Sequence, residues 1–298
     1  MKKNQKQSPL TYERKNFWKH APAAEQKAAM DYASPYKEFL NQCKTERETT
    51  VWMENLLKKH KFVAIDGKKG SSRVYRVFRG KTLAVAVLGT DPLSKGFNMV
   101  ASHIDAPRID LKQNPLYEDG PSQMVCMRTH YYGGIKKYQW VSTPLSLHGV
   151  VIKNDGSLLN ISLGEKDNEP VFIIPDLLPH LARKEQYSKN INDAIDASKL
   201  NLVFSGMIEP SCEEKEAAKA FALKALNKAY GINEADFLSA ELQLVPATKA
   251  RDAGIDSSML VGYGHDDRIC AYTALTALLD NLDQKPKRSM IVYFSDKE

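Results

Sequence analysis

Phe97-Asn98-Met99-Val100-Ala101-Ser102-His103-Ile104-Asp105 is the stretch whose reading decides the fold. An apolar run, Met99 to Ala101, carries straight into a histidine and an aspartate two positions apart. Alternate side chains on a strand share a face, so His103 and Asp105 are expected to point the same way. Pro107 then argues that the strand stops there. An imidazole binds a divalent ion, and a carboxylate close behind it fixes the ring's orientation and basicity. Taken alone, a His-x-Asp triplet is more often a pair of solvated polar residues, so the weight falls on the rest of the chain.

Upstream, Ser72–Phe78 and Lys81–Leu88 read as two strands joined by a tight hairpin at Arg79-Gly80. Residues 22–60 read as helical. Ser34-Pro35 predicts a break, with a second helix from about Tyr36 to His60. Asp66-Gly67 and Gly70 make a turn-rich joint between the helices and the hairpin.

Downstream the texture changes. From Pro107 to about Lys199, short strand-like runs (Gln139–Thr143, Leu145–Lys153, Leu158–Leu163, Val171–Ile174) alternate with Gly, Pro and Asn-Asp punctuation, and Asn154-Asp155-Gly156 is a good hairpin turn. This pattern predicts an antiparallel or barrel-like unit inserted into an α/β domain. Leu200–Phe204 is a further strand, and Ser211 is expected to cap a helix reaching about Tyr230. Glu213, Glu214 and Glu216 fall in its first turns and Gly231 just past its end. Phe237–Val245 reads as a strand closed by Pro246. Gly264-His265-Asp266-Asp267-Arg268 then opens an apolar helix with Ala271, Leu275, Leu278, Leu279 and Leu282 on one face. Ser289–Ser295 is a strand that delivers Asp296-Lys297-Glu298. A buried strand normally feeds another element, so a fragment of something longer is expected.

With 298 residues, 43% hydrophobic and 26% charged, the composition is that of a globular protein. No apolar run approaches the roughly twenty residues needed to span a bilayer, and the polar, basic start lacks a signal-peptide core. A cytoplasmic protein with no membrane partner is the expectation. Cys43, Cys126, Cys212 and Cys270 are widely spaced, which predicts reduced thiols and not a thiolate zinc site. The net charge of +6 sits mostly in the first twenty residues, where Lys2, Lys3, Lys6, Arg14, Lys15 and Lys19 oppose Glu13 alone. A basic tail on a balanced body, without interleaved aromatics, argues against nucleic acid as a partner.

Three polar knots remain: His103/Asp105, Asp266/Asp267 and Asp296/Glu298. In open α/β sheets such positions gather in a crevice at the carboxyl edge. His, Asp and Glu without Cys favour zinc, cobalt or manganese in a hydrolytic role. Simpler readings stand beside this one. Asp266 would serve as a helix N-cap, Glu298 as a solvated side chain and His265 as a surface residue. His130, ahead of Tyr131-Tyr132-Gly133-Gly134, is as readily structural as functional.

The run Ser102-His103-Ile104-Asp105-Ala106-Pro107-Arg108 resembles the first metal-binding motif of the aspartyl aminopeptidase family of dinuclear zinc peptidases. Asn114–Gly120, Ala240-Glu241-Leu242, Ala250-Arg251-Asp252 and Gly264–Arg268 look like that family's segments too, in the same order. The resemblance implies a bacterial member with an α/β fold. A mixed-sheet zinc-peptidase domain with helices on both faces (residues 1–105 and 249–298) would be interrupted by a mostly-β dimerisation domain (106–248). It implies two divalent metal ions per subunit, Zn2+ first and Co2+ or Mn2+ as alternatives, activating water to hydrolyse the N-terminal residue of peptides with a free N-terminus. His103 would be a terminal ligand and Asp266 the bridging one. Asp105 would orient His103, and Glu298 would be the general base. A second Glu, a further Asp and a late His of the family's ligand set are absent because the sequence stops at Glu298. The resemblance also implies dimers building to a dodecamer, with His180 reaching a neighbouring subunit's substrate site. The competing expectations are a related metal-dependent amidohydrolase or deacylase, and a non-catalytic or incomplete oligomer subunit.

Overall fold

In a computed structural model of the chain, residues 10–65, 70–208 and 215–298 are described. The Asp66-Gly67 joint, Ser211 with Glu213 and Glu214, Cys212, and Lys2, Lys3 and Lys6 lie outside them.

Arg79 and Gly80 both take positive φ, 52° and 70°, and fold Arg73–Phe78 back antiparallel on Thr82–Val87. That is the two-residue turn whose twist matches paired strands. Met290–Ser295 adds antiparallel to Thr82–Val87 on one side and parallel to Asn98–His103 on the other. With Val63–Ala64 beyond Arg73–Phe78, the result is a five-stranded mixed sheet that has Asn98–His103 at its edge. Alternation puts Leu83, Val85, Val87, Val292 and Phe294 on one face. They pack there with Phe39, Leu40, Met53, Leu57, Tyr272, Leu275 and Leu278.

The three long helices, Ala23–Gln42, Glu46–Lys59 and His265–Asp280, all contribute to this one core. Helices on both faces are therefore not what the described residues show. The opposite face carries the half-buried Ala84, Ala86, Ile291 and Tyr293. The expected break at Ser34-Pro35 is also absent, because Pro35 lies inside the helix Ala23–Gln42. Tyr32 meets Tyr272 edge-on at 5.6 Å, and Tyr36 and Phe39 contact the same ring. An apolar stripe packed across the proline offsets the lost backbone hydrogen bond, which costs about 3 kcal/mol in an isolated helix. The break falls instead at Cys43–Thr45, where Thr45 and Glu48 form a reciprocal capping box.

A second sheet has six strands, all antiparallel, in the order Leu158–Leu163, Leu145–Ile152, Glu241–Pro246, Arg108–Glu118, Val125–Tyr132, Leu202–Ser205. It has its own core, running from Ile109 to Leu244 and including Val125, Met127, Leu145, Val151 and Leu202. The helix Ala217–Tyr230 covers it with Ala218 and Ala222 and ends at Gly231 in the left-handed region, φ 64°. Two expected strands fail. Gln139–Thr143 is mostly turn after the 3-10 segment Lys137–Gln139, and Val171–Ile174 contributes only isolated bridges. Phe237 lies in a 3-10 turn wound by an Asn233/Asp236 capping box, so the next strand starts at Glu241. The paired strands Arg108–Glu118 and Val125–Tyr132 were not foreseen. Their register shifts between Leu111 and Leu116, around Pro115, and breaks the alternation that would have revealed them.

Cys43, Cys126 and Cys270 are free thiols. Among the described residues no helix is long and apolar enough to cross a membrane.

Candidate metal centre

His103 is the last residue of its strand and pairs in register with Ser295 on the parallel neighbour. The Ile104 N–H donates to Ser295 O at 2.9 Å and holds the two strand ends together. The strand ends at His103, short of the expected Pro107, yet Asp105 still reaches the imidazole. His103 Nδ1 lies 2.9 Å from the Asp105 carbonyl oxygen and 3.5 Å from its carboxylate Oδ1. Both neighbours only accept, so the neutral ring carries its proton on Nδ1 and presents a lone pair at Nε2. That Nε2 faces Asp266 Oδ1 at 3.3 Å. Two electron-rich atoms held this close repel unless a second proton on the ring or a metal ion stands between them. Ligands each about 2.0–2.2 Å from a tetrahedral zinc are themselves about 3.3–3.5 Å apart. The pair therefore suits one end of a metal site. It supplies two donors, and among the described residues no cluster of three or more His, Cys, Asp or Glu is arranged to hold an ion.

Asp266 is not a helix cap. Gly264 takes the cap position with φ 82° and no side-chain cap bond, Asp266 (φ −86°, ψ 109°) and Asp267 (φ −116°, ψ 25°) are both non-helical, and no described hydrogen bond runs from a backbone N–H to the Asp266 carboxylate. Its side chain is 94% exposed. The segment is pinned from behind by Arg268, which is buried. Arg268 Nε donates to Ile104 O at 3.1 Å and Nη2 to Lys44 O at 2.8 Å. A Cβ on Gly264 would lie 2.0 Å from Arg268 Nη1, so the close approach of this turn requires glycine. Arg268 thus ties the start of the helix to the residue between His103 and Asp105.

Asp105 is fully buried. Its Oδ2 accepts the Tyr132 hydroxyl at 2.5 Å and the Glu298 N–H at 3.0 Å. Burial, followed by the bond to Asp105, pushes the Tyr132 phenol up to about 12, so the hydroxyl stays a donor. The Glu298 side chain is exposed, and its carboxylate lies over Gly133. Asp296 turns the other way, 3.7 Å from Lys81 Nζ, and burial with Glu46 nearby raises its pKa.

His265 is half-buried and not the partnerless surface residue expected. Its Nδ1 shares a 2.9 Å hydrogen bond with the Tyr36 hydroxyl, and burial lowers its pKa. His130 is exposed, its ring 5.8 Å from that of Tyr131. His180 stands exposed on the short helix Pro179–Glu185, and no described hydrogen bond joins it to His103, Asp105, Asp266 or Glu298. Beside Asp266 opens a cleft of 320 Å³ lined by Pro107, Ile135, Trp140 and Tyr263. Sequence reasoning missed Tyr132 and Arg268. The signal for Arg268 was a charged residue on the apolar face of its helix, three positions before Ala271.

The family described as aminopeptidase I zinc metalloprotease (M18) matches residues 39–298. A probable M18 family aminopeptidase 1 of Thermotoga maritima is 46% identical over 292 residues, covering 97% of this chain and 62% of its own length. That of Clostridium acetobutylicum is 43% identical over 296 residues, covering 97% and 63%. The crystal structure of the M18 aminopeptidase from Thermotoga maritima superposes with a TM-score of 0.86 at 44% identity, covering 95% of this chain and 61% of that one. The chain thus spans 62–63% of the length of the two curated relatives.

Proposed function

This chain belongs to the aminopeptidase I (M18) family of zinc metalloproteases, and from that premise we propose that it acts as a metal-dependent aminopeptidase removing the N-terminal residue of peptides. The observation that carries the reading is His103 Nε2 facing Asp266 Oδ1 at 3.3 Å, with Nδ1 already committed to Asp105. His103 and Asp266 would hold a divalent ion, zinc first. The exposed carboxylate of Asp266 leaves room for a second ion beside it. When bound, such ions supply Lewis acidity to the peptide carbonyl and to the attacking water.

The chain's own residues do the rest. Asp105 keeps the imidazole oriented with Nε2 outward. Glu298, anchored through its N–H to Asp105 and carrying an exposed carboxylate, takes a proton from water on a carboxylate oxygen and returns it to the leaving amine. The division into a metal-bearing unit (1–105 and 249–298) and an inserted unit (106–248) is part of this proposal. It is supported by two cores, one drawn from Tyr36–Ile104 and Ala250–Phe294, the other from Ile109–Leu244. Self-association through the inserted unit is supported by its exposed Leu177, Leu178, Leu181 and Tyr187. His180 lies in the same row, where it would face a neighbouring copy.

The test is zinc content and hydrolysis of aminoacyl-coumarins by the protein and by His103→Ala and Asp266→Asn. Both substitutions are expected to abolish turnover and deplete bound zinc. Unchanged zinc and turnover in both, or turnover confined to N-acyl amino acids, would overturn the reading.

A further inference from the structure

We propose that the turn Tyr132-Gly133, at the end of a strand of the six-stranded sheet, is a positioning device for the metal centre: Tyr132 sets Asp105 and Gly133 seats Glu298. The proposal rests on the reading of His103, Asp105 and Glu298 given above.

Tyr132 is itself held in place. It pairs in register with Arg108, whose guanidinium lies over the phenol ring at 4.0 Å and whose Nε donates to Asp110 Oδ1 at 2.9 Å. The hydroxyl of this fixed ring donates to Asp105 Oδ2, and the Glu298 N–H supplies a second donor to the same oxygen. With Oδ2 doubly bound, the carboxylate cannot rotate, and Oδ1 stays towards His103 Nδ1 at 3.5 Å. Oδ1 is buried and, among the described residues, makes no hydrogen bond, the Nδ1–H of His103 going to the Asp105 carbonyl oxygen instead, so rotation of the carboxylate changes the charge that the imidazole feels. Tyr132 therefore acts on the metal ligand through Asp105.

Gly133 acts by omission. Its φ is +72°, and a Cβ there would lie 2.2 Å from Glu298 Oε2, 2.8 Å from Cδ and 3.0 Å from Oε1. The space a side chain would fill is occupied by the whole carboxylate. The six-stranded sheet thus supplies both the strut behind the ligand and the seat under the base.

The experiment compares Tyr132→Phe and Gly133→Ala with the parent protein, and uses Tyr131→Phe, the next residue along the same strand, as a control. Three readouts are needed: the His103 ring 15N resonances without metal, zinc affinity by competition, and kcat with KM. Tyr132→Phe is expected to shift the metal-free His103 resonances and weaken zinc about tenfold, in the range for outer partners of a ligand. Gly133→Ala is expected to leave those resonances and zinc affinity in place while lowering kcat about 100-fold, with KM nearly unchanged. Gly133→Asn separates backbone strain from overlap, since Asn accepts positive φ yet still fills the space, so kcat should fall as far. Parental His103 resonances in Tyr132→Phe overturn the first half. Parental kcat in both Gly133 variants overturns the second. If the resonances shift but the parent binds no zinc and cleaves no substrate, the coupling stands and the peptidase reading falls.

Discussion

At the scale of single residues, His148 shows how charge is buried in this molecule. Its Nδ1 lies 2.7 Å from Glu48 Oε1, and its Nε2 lies 3.0 Å from Glu165 Oε1 and 3.1 Å from Ser146 Oγ. Carboxylates only accept, so both ring nitrogens must carry protons. Burial opposes the charge, but the bonds to Glu165 and Glu48 outweigh it and raise the pKa to about 9. A pKa raised on folding adds stability that is complete below the unfolded value of about 6.5 and is lost as pH rises through about 9, on the order of 3 kcal/mol. The melting temperature should therefore fall between pH 7 and pH 10, and His148→Ala should lower it at pH 7 and flatten that decline. Asp105→Asn belongs to the same scale. It keeps the backbone carbonyl that Nδ1 bonds to and removes the buried negative charge beside the ring, and is expected to weaken zinc binding or turnover about 10–100-fold, read by metal competition. The approach of His103 to Asp105 and Asp266 could be expected because strand ends and helix starts are local features. Tyr132 and Arg268 were not, because their partners lie 27 and 164 positions away.

Among elements, turns and caps carry the strongest local information. Arg79-Gly80 was readable because a two-residue hairpin turn demands positive φ at both positions. Pro35 misled because packing of Tyr32, Tyr36 and Phe39 on Tyr272 overrides the proline's local preference. The Thr45 hydroxyl accepts the Glu48 N–H at 3.2 Å, so Thr45→Ala should cost about 1 kcal/mol in urea unfolding. Gly149 is more constrained. Its φ is +133°, and a Cβ there would sit 1.9 Å from the Glu241 carbonyl oxygen, across the pairing of Leu145–Ile152 with Glu241–Pro246. Gly149→Ala is expected to cost about 3 kcal/mol or more in the same assay, because backbone has to move.

At the scale of the whole molecule, the two textures of the sequence fall on the five-stranded and the six-stranded sheet, each with its own core, while the placement of the three long described helices on one face of the former was hidden in non-local packing. The edge strand Asn98–His103 is the most exposed part of the five-stranded sheet. Met99 and Val100 are each 53% exposed on its two faces, and Phe97 and Ile269 are 47% exposed. Among the described residues no strand pairs with the outer side of this edge, and an apolar edge of that kind invites another strand. The 298-residue chain should associate as its concentration rises, and Met99→Lys should suppress this in light scattering. A monomer at every concentration would count against that edge as a contact. In the sequence His103 precedes and Asp266 follows every strand of the six-stranded sheet, which runs from Arg108 to Pro246. A ribosome making this polypeptide releases one donor long before the other. An ion held as proposed above could then be captured only after every strand of the intervening sheet has been synthesised.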